Sequence, residues 1–221
     1  MITLHYFPSN ASFAPHVLLR ELGVPFELQL VDRTQGAHKS AAYLKLNPNG
    51  LIPVLVDGPL VLYETAAILL HLADTHPASA LAPALAPAFG SHERALFYKW
   101  LMWLSNTLQA TMPLYFYSDR YVDAGNATGA LQVKAQARAR IDGCLQQIDA
   151  HLAAHGGPWF EGQRFSALDP YVFMLCRWTR GFVGSRPARE YAHIGPYLQR
   201  LLERPAVQQA IEAEKLLQPL V

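Results

Sequence analysis

The sequence predicts an α/β half followed by an all-α half, and three observations carry that reading. As far as His76, short β-branched and aliphatic runs alternate with helical stretches. An uncharged, Ala- and Pro-rich segment then runs from Ala78 to Gly90. From Ser91 onward only helical periodicity remains. The expected division is residues 1–78, a connection over 79–90, and residues 91–221.

In the first half, Ile2 to Phe7 alternates as a strand, and Pro8 to Ser12 is a polar loop. Phe13 to Leu22 reads as a helix with apolar Phe13, Val17, Leu18 and Leu22, and Gly23 is placed to close it. Val24 to Val31 carries Phe26, Leu28 and Leu30 on one alternating face, the pattern of a second strand. Asp32 to Leu46 is a polar connection with a helical turn around Ala41 to Leu46. Ile52 to Val56 and Leu60 to Tyr63 are strands joined by the hairpin signal Asp57-Gly58-Pro59. Glu64-Thr65 opens an apolar helix, Ala66 to Leu72, and His76-Pro77 stops it. The order β-α-β-(α)-β-β-α is that of a thioredoxin-like domain.

In the second half, Leu81, Leu85 and Phe89 ask for cover, so the connection is expected to lie against the surface. Ser91 starts a long helix through Phe97, Trp100, Leu101, Leu104 and Leu108, with Pro113 placed to kink or end it. Gly125 to Gly129 breaks the pattern. A second long helix carries Leu131, Ile141, Leu145, Ile148 and Leu152 and ends at Gly156-Gly157-Pro158. Ser166 and Asp169 have capping-box spacing ahead of a buried helix, a folding role. Pro196 to Leu202 and Ala206 to Leu216 close the chain as short helices.

Composition narrows the function. Hydrophobic residues are 51% and charged residues 16%, and 18 Lys and Arg stand against 17 Asp and Glu. That balance offers no nucleic-acid surface. The two cysteines, Cys144 and Cys176, have no paired spacing and fall in apolar helical patterns, as buried thiols do. The nine histidines form no His-x-x-x-His pair, so no metal site is expected. With no basic leader before the first strand and no apolar run of transmembrane length, a soluble, cytoplasmic protein is expected, away from membranes.

The stretch that carries chemistry is Asn47 to Thr65. Pro53 begins a strand without a donor for the ladder, and a proline there is often cis, which turns neighbouring backbone groups outward. An extended peptide can pair with such a rail. The helix start at Glu64-Thr65 adds free N–H groups and a positive dipole end, which suit a carboxylate.

This segment resembles the glutathione-binding element of the glutathione S-transferase family, in the Asn-Pro-Asn-Gly-x-x-Pro loop and the Glu-Thr pair. Tyr6-Phe7-Pro8, Ala14-Pro15-His16 and Leu202-Glu203-Arg204-Pro205 are similar to the bacterial beta class. The resemblance implies that Ile52 and Pro53 bind the cysteinyl backbone of glutathione and that Glu64 and Thr65 hold its γ-glutamyl end. Leu51 occupies a contact position where relatives often carry Gln or Lys. His38 and Lys39 fall where some relatives meet the glycyl carboxylate, with a solvated loop as the competing reading.

A glutathione transferase stabilises a thiolate, and lowering a thiol pKa from ~8.5 to ~6.5 takes roughly 2.7 kcal/mol. The resemblance assigns this to the loop before the first helix, with Ser12 ranked first, Asn10 next and Ser9 third. An ordinary helix cap competes for Ser12. The beta-class cysteine aligns with Ala11, so a thiol-exchange role through that residue is put in doubt. Asn106, Gln109, Trp178 and Arg180 are the candidates for the second-substrate site, on helices where Met112, Tyr115 and Phe116 add apolar surface. The implied function is conjugation of the glutathione thiolate to apolar electrophiles, with glutathione as co-substrate and no metal. The alternative is a glutathione-binding relative with an isomerase, peroxidase or non-catalytic role. A homodimer is expected to cover Ala66, Ala67, Leu69 and Leu70.

Overall fold

Ile2 and Leu4 are buried on one face of the first strand, β1 (Ile2–Tyr6), and this alternation fixes how the sheet lies against its helices. The computed structural model describes residues 1–76 and 84–221. β1 pairs in parallel with β2 (Phe26–Leu30), Leu4 opposite Leu28, and antiparallel with β3 (Val54–Asp57), Leu4 opposite Leu55. β4 (Leu60–Tyr63) completes the order β2-β1-β3-β4. Gly58 has φ 56°, the positive value a two-residue hairpin asks of its first central residue. The expected alternation of β2 holds for Phe26 and Leu28, but Leu30 is 49% exposed at the end of this edge strand.

α1 (Phe13–Leu22) joins β1 to β2 and closes on Gly23 at φ 65°, whose N–H donates to the Arg20 carbonyl. α2 (Ala41–Leu44) is a single turn capped by the Ser40 hydroxyl, which accepts from Tyr43 N–H at 3.2 Å. α3 (Thr65–Thr75) buries Ala66, Ile68, Leu69 and Leu72 inside the chain. The expectation that a partner must cover this helix is therefore corrected in part. Ala66 and Leu69 are already covered, and Ala67 and Leu70 are half-buried.

Of the residues expected in the connection, 79–83 lie outside the described residues, Leu81 among them, and so does the Pro77 helix stop. Leu85 is buried, and its carbonyl accepts from Ala167 N–H at 2.8 Å. Phe89 remains 71% exposed, capped on one face by the Arg94 guanidinium.

The long helix at Ser91 is three pieces. α4 (His92–Trp103) is capped by Ser91, a π-helical stretch covers Leu104–Gln109, and α5 (Ala110–Phe116) contains Pro113. Pro113 thus neither ends the helix nor starts a new one. Its ring would collide with the Gln109 carbonyl in a regular helix, and the widened turn lies just before it. α6 (Ala127–His155) is capped by Asn126 and begins before the expected Leu131. Leu131 is 69% exposed and does not belong to the buried stripe. Ten positions before Ile141, it is turned about 80° away from Ile141.

α7 (Leu168–Trp178) runs through the centre of the helical half, with Leu168 to Arg177 all buried. Asp169 accepts from Ser166 N–H at 2.7 Å, Phe160 N–H at 2.9 Å and Tyr197 O–H at 2.8 Å, so the box ties three segments together. α8 (Ile194–Leu202) and α9 (Pro205–Ala213) follow. α9 stops short of Leu216 because Lys215 turns to φ 51° and Leu216 N–H bonds back to the Ile211 carbonyl. One continuous core joins the two halves. Phe13 of α1 stacks on Phe173 of α7 at 5.8 Å, and α9 also packs on α1.

Candidate active site

The loop between β1 and α1 is held by the helical half at one residue, Ser9. Its φ of 62° is a left-handed conformation that costs a non-glycine residue about 1–3 kcal/mol. Contacts from far along the chain hold it there. Ser9 N–H donates to Glu214 Oε2 at 2.9 Å, and its carbonyl accepts from Trp178 Nε1 at 3.2 Å. Its hydroxyl oxygen accepts from Arg177 Nη1 at 2.7 Å and Arg180 Nη2 at 3.3 Å. Both lone pairs are thus occupied by cationic donors, and the hydroxyl proton is left to donate.

Behind Ser9, Glu214 Oε1 lies 2.9 Å from His16 Nδ1, with both side chains fully buried. Arg20 Nε donates to His16 Nε2 at 3.4 Å, so the network assigns the donating hydrogen to Nδ1. Burial, and then the neighbouring Arg180, push the Arg177 guanidinium down to about 10, while Glu214 opposes the fall. Arg177 keeps its charge at neutral pH.

A cleft of about 800 Å³ opens in front of this loop, between the sheet half and the helical half. Ser9 and Asn10 line it, whereas Ser12 does not. Ser12 is fully buried, and its hydroxyl turns back to the Phe7 backbone, donating to the carbonyl at 3.2 Å and accepting from N–H at 3.3 Å. It makes no side-chain cap to α1 either. The cap reading of Ser12 is therefore corrected, and its hydroxyl proton donates within the turn that follows β1. Asn10 Oδ1 accepts from Ala11 N–H at 2.7 Å, and the residue lines the cleft.

The opposite wall is the segment ahead of β3. The Ile52–Pro53 bond is cis. The Leu51 carbonyl accepts from Tyr43 O–H and from Asn47 Nδ2, each at 2.8 Å. Gly50, at φ 61°, is required here, since a Cβ would lie 2.9 Å from both the His38 carbonyl and Lys39 Nζ. This close approach sets His38 and Lys39 beside Leu51 and Ile52, and all four line the cleft. Pro53 and Thr65 are buried beneath that wall, outside the cleft lining. Glu64 is exposed at the start of α3 with φ 76° and ψ 118°, a strained non-glycine geometry, and it too lies outside the lining.

The third wall comes from α5, the turn after it, and the end of α7. Gln109, Trp178 and Arg180 line the cleft, whereas Asn106 is exposed and does not. Gln109 Oε1 accepts from the Tyr171 hydroxyl, which pins it at the edge of the widened turn. Arg33, Tyr117, Arg120 and Pro219 also line the cleft, and sequence reasoning missed all four. Arg33 and Arg120 sit in polar stretches that read as solvated surface. Arg177 and Glu214 were missed as well, since nothing local marks them as partners of Ser9. Neither cysteine reaches the cleft; both are buried, and burial pushes their thiols up. Among the described residues, no group of three His, Cys, Asp or Glu is arranged to hold a metal.

With this geometry in place, comparison with known proteins is decisive. The family profile described as "Glutathione S-transferase, N-terminal domain" matches residues 8–75. Glutathione S-transferase GstA of Escherichia coli O157:H7 is 33% identical over 215 residues, covering 96% of this chain and 98% of that protein. The chain belongs to the glutathione S-transferase family. Glutathione S-transferase GST-4.5 of Xanthomonas campestris pv. campestris is 31% identical, again over 96% of this chain and 98% of the relative. Among solved structures, a glutathione S-transferase from Xylella fastidiosa superposes with a TM-score of 0.85 at 29% identity, covering 98% of this chain and all (100%) of that one. A sphingomonad glutathione S-transferase complexed with glutathione has a TM-score of 0.80 at 33% identity, covering 97% and 100% of the two chains. The thioredoxin-like half and the helical half are thus those of a bacterial glutathione S-transferase. Within that family, Ala11 leaves the cleft without a protein thiol.

Proposed function

We propose that the protein is a glutathione transferase in which Ser9 is the group that stabilises the thiolate. The observation that carries this reading is the Ser9 hydroxyl, whose oxygen accepts from two guanidinium groups while its proton remains free. Glutathione would lie along Ile52 and Pro53, with its γ-glutamyl end at Glu64, Thr65 and the amino terminus of α3. Its glycyl end would lie by His38 and Lys39, past the apolar edge of Leu51. Residues 1–78 then supply the glutathione half, 79–90 the connection and 91–221 the wall for the second substrate, at Gln109, Trp178 and Arg180. The thiolate attacks an electrophilic carbon, an S–C bond forms and the leaving group departs with its electron pair. The cationic donors act through preorganised charge, which is how such sites stabilise an anion. Asn10 ranks second, and Ser12 supports the loop.

A second reading is favoured by Ala11 and Leu51, which present apolar groups to the cleft: a relative that binds glutathione without conjugating it, or that isomerises or reduces peroxides. A homodimer fits the remaining open apolar surface, Tyr98 and Met102 on one face of α4 and Leu60 and Val61 on the edge strand β4. Among the described residues, no helix is long and apolar enough to cross a membrane, and we place the protein in the cytoplasm. Glutathione titration by calorimetry, followed by an activity screen over conjugation, isomerisation and peroxide reduction, tests the proposal. Binding with conjugation supports it. Binding without conjugation selects the second reading, and absence of binding at millimolar glutathione removes both.

A further inference from the structure

The charges around the cleft are one-sided. Arg33, Lys39, Arg120 and Arg180 line it, together with His38, and among the described residues no Asp or Glu does. Two of these cations have duties already. Arg180 donates to Ser9 and to the Arg177 carbonyl, and Lys39 is wedged over Gly50 beside His38. Arg33 and Arg120 remain. Arg33 Nη2 donates to the Tyr117 hydroxyl at 3.3 Å, and the Arg120 guanidinium lies over the Tyr117 ring at 4.2 Å. Among the described residues, neither enters an ion pair. The His38 Nδ1 atom beside them is buried and has no hydrogen-bond partner. Burial pushes the His38 imidazole down, and Arg33, Lys39 and Arg120 push it further, so the three cations act on one point. Met112, Pro113 and Phe116 supply apolar wall next to Tyr117.

We infer that the second substrate is an organic acid: an electrophile with a flat or apolar body whose acid group is held between Arg33 and Arg120, about Tyr117. Two guanidinium groups flanking a phenol offer forked donors to a carboxylate in a partly desolvated cleft, where uncompensated positive charge otherwise stands. The inference rests on the glutathione reading and narrows it: the glycyl carboxylate is placed at His38 and Lys39, and with an apolar neutral electrophile Arg33 and Arg120 would face no acid of their own. For a 4-(halomethyl)benzoate, the thiolate sulfur bonds to the benzylic carbon, the carbon–halogen bond breaks, and halide leaves with the electron pair. The product is S-(4-carboxybenzyl)glutathione.

The test uses that product as a probe beside S-benzylglutathione and glutathione, all by calorimetry on the intact protein. The acid-bearing thioether is expected to bind about tenfold more tightly than S-benzylglutathione. In an Arg33→Gln/Arg120→Gln variant the ratio should fall to about one, with S-benzylglutathione within about twofold of its original affinity. Arg120→Gln alone changes an exposed residue, and it should lose part of the preference if the double variant does not fold. Equal affinity of the two thioethers for the unaltered protein overturns the inference and leaves the glutathione reading intact. A preference that survives both variants puts the acid elsewhere and overturns it too. If neither the thioethers nor glutathione bind, the glutathione reading fails and this inference fails with it.

Discussion

Arg177 Nη1 sits 2.7 Å from the Ser9 hydroxyl oxygen, across 168 positions of sequence, and this bond couples the helical half to the thioredoxin-like half. Removing it by Arg177→Met leaves Arg180 as the hydroxyl's remaining cationic donor. Turnover of glutathione with an electrophile should fall by about tenfold, the effect of losing roughly 1.4 kcal/mol of preferential anion stabilisation. Glutathione affinity at low pH, where the thiol is protonated, should change little. A loss of affinity equal at low and high pH would instead mark Arg177 as a packing residue.

Gly50→Ala tests the wall opposite Ser9. The added methyl meets the His38 carbonyl and Lys39 Nζ at 2.9 Å, on a backbone held at φ 61°. We expect a loss of about 1–3 kcal/mol in stability and weaker glutathione binding. Gly58→Ala is the control, because its φ is 56° and nothing lies within 4 Å of the new Cβ. It should cost only about 1 kcal/mol and leave binding alone. Urea unfolding and calorimetry on both variants check the pair.

Two carboxyls pull stability down as pH rises, while the His5, His38 and His151 imidazoles, pushed down by burial, pull it the other way. Burial pushes Asp169 up from 3.8 to about 6 and Glu161 up from 4.5 to about 7. At these two groups the native state therefore holds protons that the unfolded chain has released, and their share of stability falls as pH rises through this window. Their contribution is complete below pH 3.8 and is lost by about pH 7. Asp169→Asn should flatten the lower part of that slope in urea midpoints. It should also cost about 1–3 kcal/mol, since Ser166 N–H, Phe160 N–H or Tyr197 O–H then loses an acceptor. A slope that Asp169→Asn leaves unchanged over this window would contradict the assignment.

The fold was legible because its signals are local. Gly23 and Gly156 close the helices they follow, Asp57-Gly58-Pro59 turns the hairpin, and Ser166 with Asp169 opens the buried helix. The cis bond at Ile52–Pro53 was legible for the same reason, being part of one short stretch of turn and strand chemistry. The donor that the geometry favours was ranked last because its environment comes from Arg177, Arg180 and Glu214, none near Ser9 in sequence. Ser12 looked better by position alone. No local pattern reveals that its hydroxyl closes back on Phe7. Leu131 misled in the opposite way, continuing an apolar series at an angle that takes it off the core.

Assembly gives a further expectation. With Ala66 and Leu69 already covered inside the chain, the proposed dimer would place its contacts at Tyr98, Met102, Leu60 and Val61, which are exposed. Light scattering at micromolar concentration should give a dimer mass, and Tyr98→Asp with Met102→Asp should give a monomer that keeps its helical signal. A dimer mass in that variant would move the interface elsewhere.

The most direct measurement is the titration of the thiolate absorbance of bound glutathione in the unaltered protein, Ser9→Ala, Asn10→Ala and Ser12→Ala. Ser9→Ala should move the titration upward by about one to two pH units, and Asn10→Ala by less. Ser12→Ala should leave it in place while lowering stability by about 1 kcal/mol, the worth of the bonds to Phe7. A titration that moves for Ser12→Ala or Asn10→Ala and stays fixed for Ser9→Ala would contradict the assignment of Ser9.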